Sequence, residues 1–302
     1  MNKAKRVLAL MIPLILLIAC GFVLFIMRLF PVWRPAALHE TTVKVKKRVG
    51  FFLSGSTQER RIMPPFGYRR TDADPDSFLA YMRGQELLPD GNPVYDYHGN
   101  SLGIGNAAAV YALPVGKDGT QQCADSIIRV WSDYLYERGE YDKLSYHLTN
   151  GMECSFDKWK RGWHVAAFGD FSWWMPVPVW GTSEENYRSW LMTVMRYAGT
   201  LSLEAESEPI DIADAQAGDF FCHGGSPGHA VLIVDEAVNA AGERQFLLAQ
   251  GFMPAQSFHI IEDHGTSGDP WYTEEELSRE TIELSSYTFH AGDLRRRAAW
   301  FE

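Results

Sequence analysis

Two short apolar runs separated by a turn constrain the fold of this chain more than any other feature. The first covers 228–235 and is rich in β-branched residues, the second covers 245–250, and an Asn-Ala-Ala-Gly turn signal at 239–242 lies between them. Runs of this kind on either side of a turn predict an antiparallel β-hairpin. A further strand is predicted at 220–221, after a Gly-Asp turn at 218–219, so this half of the chain is expected to form an antiparallel sheet.

The hairpin brings together two polar side chains. With the turn centred at or just before Ala240 and Ala241, His229 lies opposite Gln250 or opposite a direct neighbour of it, and facing residues are about 4.5–5.5 Å apart at Cβ. Gln250 can then hold the imidazole in one tautomer, as the orienting residue of a catalytic triad does. Alone, His229 is also explained as a histidine at a strand end beside the Gly- and Pro-rich loop 224–228.

A helix is predicted over 121–135, after the polar turn at 116–120. Its apolar residues fall at helical spacing on one face, namely Ala124, Ile127, Ile128, Trp131, Tyr134 and Leu135. Cys123 lies in the first turn, where unpaired backbone N–H groups and the helix dipole favour an anion and lower a thiol pKa. Those N–H groups, with Gln121 or Gln122, are candidates for an oxyanion hole. The alternative for Cys123 is a buried structural thiol.

In this order along the chain, Cys123, His229 and Gln250 have the chemistry of a nucleophile, its base and the group that orients the base. A thiolate attacks a carbonyl, the imidazole moves the proton, and the amide fixes the imidazole. The set predicts a cysteine hydrolase.

At these residues the chain resembles the bacterial family catalogued as domain of unknown function 4846. The resemblance extends over about 60–300, and its matching stretches are 122–125, 197–203, 218–221, 227–231 and 247–256. More distantly, the chain is similar to the NlpC-type cell-wall peptidases of the papain-like superfamily. In those enzymes a Cys opens a helix, a Gly-Asp turn begins a strand, a His heads the next strand, and a polar residue follows on the strand after that.

Cys123, the turn at 218–219, His229 and Gln250 occupy those places in the same order. The chain departs from the pattern in having Gln250 where a His, an Asn or another polar group is usual, and in the long segment between Cys123 and His229. The resemblance implies an α+β, papain-like fold in which an antiparallel sheet packs on the helix that begins with the Cys.

The function predicted from these observations is a membrane-anchored cysteine amidase or peptidase that acts on cell-wall peptides through an acyl-enzyme. No cofactor is expected. Two alternatives stay open: an acyltransferase of the same fold, and a non-catalytic binding module that retains the pocket. The net charge of −10 offers no basic surface for nucleic acid, so nucleic-acid binding is not expected. The oligomeric state is left open.

The amino terminus carries an apolar stretch at 7–27, closed by Arg28 and preceded by the cations Lys3, Lys5 and Arg6. About 20 residues suffice to cross a bilayer as a helix. We expect an uncleaved signal anchor at 1–30, because the chain stays apolar after the lipoprotein-like Leu-Ile-Ala-Cys at 17–20. A stalk at 31–57 then leads to a catalytic-type domain at 58–302, placed outside the cytoplasmic membrane.

An aromatic segment at 163–180 contains Pro176 and Pro178, which preclude a regular helix and predict a loop or edge element. Its aromatic residues are interpreted either as a flap over the core or as the wall of a substrate groove formed by Trp173, Trp174 and Trp180.

Helices are also predicted at 77–83 and 184–199, and a strand at 94–97. Cys154 and Cys222 are interpreted as one disulfide or as two buried thiols. The spacing of the remaining Cys and His residues fits no standard zinc site, so no metal is expected. The basic run at 295–297 is predicted to be a solvated face.

Overall fold

The computed structural model describes residues 55–103, 105–262, 269–284 and 287–301. Side-chain hydroxyls begin four of the helices in these ranges: Ser77, Ser155, Ser183 and Thr273 each accept a hydrogen bond from the backbone N–H three residues on. The described α-helices are α1 (Gln58–Arg61), α2 (Phe78–Gly84), α3 (Cys123–Glu137), α4 (Phe156–Trp159), α5 (Glu184–Tyr197), α6 (Thr200–Ala205) and α7 (Glu274–Leu277).

Strands dominate the second half of the chain, where β-branched and aromatic residues are frequent. In chain order the described strands are β1 (Tyr68–Arg70), β2 (Ala107–Val110), β3 (Ser145–His147), β4 (Glu153–Ser155), β5 (Trp163–Phe168), β6 (Phe171–Pro176), β7 (Glu208–Pro209), β8 (Phe220–His223), β9 (His229–Asn239), β10 (Arg244–Gln250), β11 (His259–Ile261), β12 (Trp271–Thr273), β13 (Thr281–Leu284), β14 (Tyr287–His290) and β15 (Leu294–Arg296).

Nine of these strands form one antiparallel sheet, with the order β2-β11-β10-β9-β8-β15-β7, while β1 pairs with β9 and β12 with β10. The other described strands pair as the separate hairpins β3–β4, β5–β6 and β13–β14. This arrangement confirms the expected α+β class with a large antiparallel sheet, and it confirms the β9–β10 hairpin.

Both faces of β9 are covered, which explains its nearly continuous apolar sequence. Ala230, Leu232 and Val234 belong to a large core that also contains the apolar side chains of α3 and α5. Val231 and Ile233 belong to a second core beneath β13 and β14. The sheet therefore positions the ends of its central strands between two packed layers.

The helix that begins at Cys123 is confirmed, but its burial differs from the one-sided pattern expected. Every residue from 124 to 133 is buried, including polar ones. These polar groups have partners: Ser126 Oγ donates to Gln122 O at 2.7 Å, and Asp133 accepts from Tyr187 Oη at 2.7 Å and also pairs with Arg188. These hydrogen bonds offset the free-energy cost of burying polar groups. Since it is buried on all sides over this stretch, α3 is a central helix.

Two expectations differ from the structure. Residues 94–97 form only isolated bridges, Tyr95 with Ser101 and Asp96 with Gln256. The prediction of a solvated basic face at 295–297 is wrong. Arg296 pairs with Asp219 through two hydrogen bonds of 2.8 and 2.6 Å, and Arg297 is buried and pairs with Glu206 at 2.8 Å. The carboxylates that neutralise these arginines are distant in sequence.

The predicted anchor at 1–30 and nearly all of the stalk at 31–57 lie outside the described residues. Within the part of the chain that the structure describes, no helix combines the length and the apolar character needed to cross a membrane.

Candidate active site

The first turn of α3 presents Cys123 to the start of β9. Gln122 is the N-cap residue, and its backbone N–H donates to Asp125 Oδ2 at 3.0 Å, which fixes the turn. The backbone N–H groups of Ala124 and Ala230 both act to lower the pKa of the Cys123 thiol, which places the sulfur near each of them. Ala230 directly follows His229 in the chain, so the helix and the strand meet at the thiol.

The protonation state of Cys123 differs from the expectation of a lowered thiol pKa. Burial raises its pKa above the ordinary value, the N–H groups of Ala124 and Ala230 act in the opposite direction, and the nearby Asp125 carboxyl adds to the rise. The expectation was wrong because desolvation of the thiolate outweighs the helix start. Cys123 is therefore a neutral thiol at pH 7 and needs a base to become nucleophilic.

The chain just after β10 packs directly on the first turn of α3. A Cβ built on Gly251 would lie 2.2 Å from Ser126 Oγ and 2.7 Å from the carbonyl oxygen of Gln122. Both distances are far below van der Waals contact, so only glycine fits here. Gln250, the last residue of β10, is thereby held beside the start of the helix that carries Cys123.

The predicted contact between His229 and Gln250 is present: His229 Nε2 lies 2.8 Å from Gln250 Oε1. The register differs slightly from the expected one. A bulge between Leu247 and Leu248 shifts the ladder, which pairs Ala249 with Leu232, and this register continued by one residue places Val231 opposite Gln250. His229 is thus the diagonal neighbour on the same face, a separation that long side chains bridge.

The His229 ring lies in an apolar, aromatic setting. Its centroid is 4.8 Å from that of Phe252, 5.3 Å from Tyr287 and 5.9 Å from Phe289. Burial lowers the pKa of His229, while the hydrogen bond that its Nε2 makes to the Gln250 amide oxygen acts in the opposite direction. The imidazole is therefore neutral at pH 7 and free to accept a proton. Within the described residues no hydrogen bond joins it to the Cys123 thiol, and such contacts often tighten only when substrate binds.

A second buried histidine, His259, extends this set. It is the direct cross-strand partner of Gln250 in the β10–β11 pair, and its Nε2 lies 3.3 Å from Gln250 Nε2. In the sequence, His259 is one of the Cys and His residues whose spacing fits no standard zinc site, and no other role is predicted for it. A polar residue on the strand that pairs with β10 could have pointed to His259. However, β10 and β11 are joined by an irregular connection with no turn signature, so their pairing is not visible in the sequence.

The two glutamines proposed for the oxyanion hole differ in their surroundings. Gln121 is buried, and its amide oxygen accepts from Arg129 Nη1 at 2.7 Å. Gln122 is half-buried at the N-cap, next to Cys123. The backbone N–H of Cys123 and that of Ala124 both act to lower the pKa of the Cys123 thiol. This arrangement gives the helix start donors for an oxyanion, with Gln122 nearer to that role than Gln121.

Trp173 and Trp174 lie on β6, and Trp180 follows that strand. The β5–β6 hairpin is separate from the main sheet, and the ring of Trp174 lies under Lys158 Nζ, 4.6 Å from the ring centroid. Trp173 and Trp180 are exposed. Their role as a groove stays a prediction, since no contact described for these three tryptophans joins them to Cys123, His229 or Gln250.

The described cysteines Cys123, Cys154 and Cys222 are all free. The last two are fully buried, which raises the pKa of each thiol strongly, so they are buried thiols and not a disulfide. In the described part of the chain no group of three or more His, Cys, Asp or Glu side chains is arranged to hold a metal ion.

A cavity of about 410 Å³ lies away from the thiol, beside the middle and carboxyl-terminal parts of α3, and its lining includes Phe78, Trp131, Arg138 and Phe301. None of Cys123, His229 and Gln250 lines it. Phe78 and Trp131 are themselves nearly inaccessible and stacked on each other, with centroids 3.9 Å apart. These rings belong to the core, so the thiol site remains the better candidate.

Comparisons with known proteins agree with the resemblance noted from the sequence. No curated protein and no solved structure matches this chain. The family model described as "Domain of unknown function (4846)" matches residues 58–296, a range that contains Cys123, His229, Gln250 and His259. The chain therefore belongs to the family of domain of unknown function 4846.

Proposed function

We propose that this protein is a cysteine hydrolase with a papain-like arrangement, held at the cytoplasmic membrane by its amino-terminal segment and cutting amide bonds in cell-wall peptides on the outer side of that membrane. The observation that carries the proposal is the meeting of α3 and β9. The N–H of Ala230, the residue after His229, acts to lower the pKa of the Cys123 thiol, so the thiol lies near the start of β9. His229 is held by Gln250 at 2.8 Å.

The protonation states support a general-base mechanism. Both Cys123 and His229 are neutral at rest, the first because burial raises its pKa and the second because burial lowers its pKa. As the sulfur attacks the substrate carbonyl, its proton passes to the ring nitrogen of His229 that Gln250 leaves free. The oxyanion accepts hydrogen bonds from backbone N–H groups at the start of α3, with Gln122 beside them.

The collapse of this intermediate breaks the C–N bond. The proton on His229 goes to the leaving amine, and a thioester on Cys123 remains. Water then attacks the thioester carbon as His229 takes one of its protons; return of that proton to the sulfur releases the carboxylic acid and restores the thiol. Each step uses side chains of this chain, and no step requires a cofactor.

A second candidate, an acyltransferase, is favoured by the aromatic rings of Phe252, Tyr287 and Phe289 around the imidazole. Apolar walls limit access of water, so an amine or hydroxyl acceptor could intercept the thioester. The two enzymes share the acyl-enzyme and differ only in the acceptor.

The experiment that tests the proposal has two parts. The full-length protein is incubated with muropeptides prepared from bacterial cell wall, and the acyl adduct on Cys123 and the products are identified by mass spectrometry. In parallel, the rate at which iodoacetamide alkylates Cys123 is measured in the wild type and in His229→Ala. An adduct and a His229-dependent rate support an enzyme; products containing an added amine indicate transfer. The absence of an adduct, together with an alkylation rate that does not depend on His229, would reject both enzymes and favour the non-catalytic binding module.

A further inference from the structure

Four polar groups form a hydrogen-bonded row across the ends of β9, β10 and β11. His229 Nε2 lies 2.8 Å from Gln250 Oε1, Gln250 Nε2 lies 3.3 Å from His259 Nε2, and His259 Nδ1 lies 2.9 Å from the carbonyl oxygen of Ser257. The three side chains are 3%, 2% and 1% exposed. Water is thus largely excluded as an alternative partner.

The direction of every hydrogen bond in this row follows from its last member. The carbonyl of Ser257 can only accept, so the proton of His259 is on Nδ1. His259 carries a single ring proton at pH 7, because burial lowers its pKa to about 4, and its Nε2 therefore accepts from the amide Nε2–H of Gln250. The amide oxygen of Gln250 then faces His229 and accepts from His229 Nε2–H.

The consequence concerns the other ring nitrogen of His229. A neutral imidazole has one proton, so a proton on Nε2 leaves the lone pair on Nδ1. That lone pair is what a base needs. Loss of the acceptor at His259 removes one of the hydrogen bonds that hold the Gln250 amide in this orientation. A turned amide presents its NH₂ group to His229 Nε2 and favours the tautomer with the proton on Nδ1, which cannot take the thiol proton.

We propose that His259 is a positioning residue that acts through Gln250 to keep the His229 proton on Nε2 and its Nδ1 free as the base. This inference rests on the proposed function for its catalytic meaning, but its structural content, the tautomer of His229, is independent of any reaction. The backbone supports the same arrangement, since His259 pairs directly with Gln250 on one side and with Val110 of β2 on the other.

The test is the tautomer of His229 in the full-length protein labelled with ¹⁵N-histidine, observed by ¹H–¹⁵N correlation at pH 7.5. We expect the Nε2–H form in the wild type and substantial Nδ1–H form in His259→Leu. His164 is a matched control, because it is also buried and burial also lowers its pKa to about 4; His164→Leu should leave His229 unchanged. An unchanged tautomer in folded His259→Leu would overturn the proposal.

A second pair of variants covers the case in which His259→Leu folds poorly. Gln250→Glu places a carboxylate, which has only acceptors, beside His229 Nε2, and combined with His259→Leu it should restore the Nε2–H form. A merely structural role for His259 would not be rescued in this way.

For the reaction, His259→Leu should slow iodoacetamide alkylation of Cys123 by roughly tenfold, about 1.4 kcal/mol, and should have no further effect in a His229→Ala background. Failure to cleave muropeptides, with the tautomer shift present, would reject the proposed function and not this inference.

Discussion

The end of the central sheet and the β5–β6 hairpin depart from the usual distribution of polar and apolar groups in opposite directions. At the sheet end, His229, Gln250 and His259 are buried and hydrogen-bonded to one another. On the hairpin, Phe168 and Phe171 are 81% and 79% exposed. Buried polar groups cost stability unless they are paired, and exposed aromatic surface forgoes hydrophobic stabilisation. The polar side chains at the sheet end are therefore hydrogen-bonded within the chain. The aromatic side chains at the tip of the hairpin are instead left exposed on the surface.

The largest effect expected at the sheet end is that of Cys123→Ala. It should abolish acyl-enzyme formation and turnover, because no other described thiol is accessible, while it changes the free energy of unfolding by less than about 1 kcal/mol for a half-buried side chain. Muropeptide turnover and thermal unfolding measure the two quantities. In contrast, the double change Phe168→Ser and Phe171→Ser should leave Cys123 acylation intact. Full turnover in folded Cys123→Ala would end the nucleophile assignment.

The next largest effect is expected from His229→Ala, which removes the proposed base. Turnover should fall by about 10²–10⁴-fold, the usual contribution of a positioned general base, with little change in substrate affinity. Steady-state kcat and KM with a purified muropeptide measure this. A β5–β6 hairpin variant that reduced kcat as much as His229→Ala does would contradict the placement of the reaction at the sheet end.

Gln250→Ala should reduce kcat less than His229→Ala, because in the proposed mechanism the amide selects a tautomer and does not itself carry the proton. It also leaves His229 Nε2 and His259 Nε2 without their buried partner, so some loss of stability is expected, about 1–3 kcal/mol. Kinetics and chemical denaturation of the same preparation separate the two effects. A kcat lower than that of His229→Ala would contradict the assignment of Gln250 as an orienter.

The pH dependence of Cys123 alkylation tests whether the thiol at the sheet end is neutral. Since burial raises the pKa of Cys123, its thiolate is a minor species at pH 7, and its population grows as the pH rises. The iodoacetamide rate should therefore still be increasing at the ordinary thiol pKa of 9.0. A plateau already reached near neutral pH would indicate a stable thiolate–imidazolium pair instead. Cys154 and Cys222 should stay unmodified in the folded protein over the same range.

The smallest effect is expected on the hairpin. If Trp173 lines a substrate groove, Trp173→Ala should raise the KM for muropeptides severalfold and leave the alkylation rate of Cys123 unchanged, because it does not touch the thiol. Phe168→Ser, at the exposed tip, provides the control and should change neither quantity. Equal KM values for both variants and the wild type would show that the hairpin serves another purpose.

Much of the site could be predicted from the sequence because it lies at the ends of regular elements. A turn before an apolar helical pattern located Cys123 at the start of α3, and a hairpin signal brought His229 near Gln250. The exact register could not be predicted, since the bulge at Leu247 and Leu248 depends on the packing of both sheet faces.

Other features depend on partners distant in sequence. The basic run at 295–297 looked solvated because its carboxylates, Asp219 and Glu206, occur much earlier in the chain. The raised pKa of Cys123 could not be predicted either, since local sequence reveals the helix start but not how far the surrounding chain excludes water. His259 was missed as a partner of Gln250 for the same reason: strand order is a tertiary property.

The glycine at 251 has a consequence for the motion of this site. Its backbone and the carbonyl of Gln122 are already so close that a Cβ has no room between them. Steric repulsion rises steeply at such distances, whereas separation meets only weak resistance, so thermal fluctuation is one-sided: helix and strand can move apart but not closer. The closest approach between the start of α3, which carries Cys123, and the chain after Gln250 is therefore set by hard contact, and any thermal change in their mean separation is an increase.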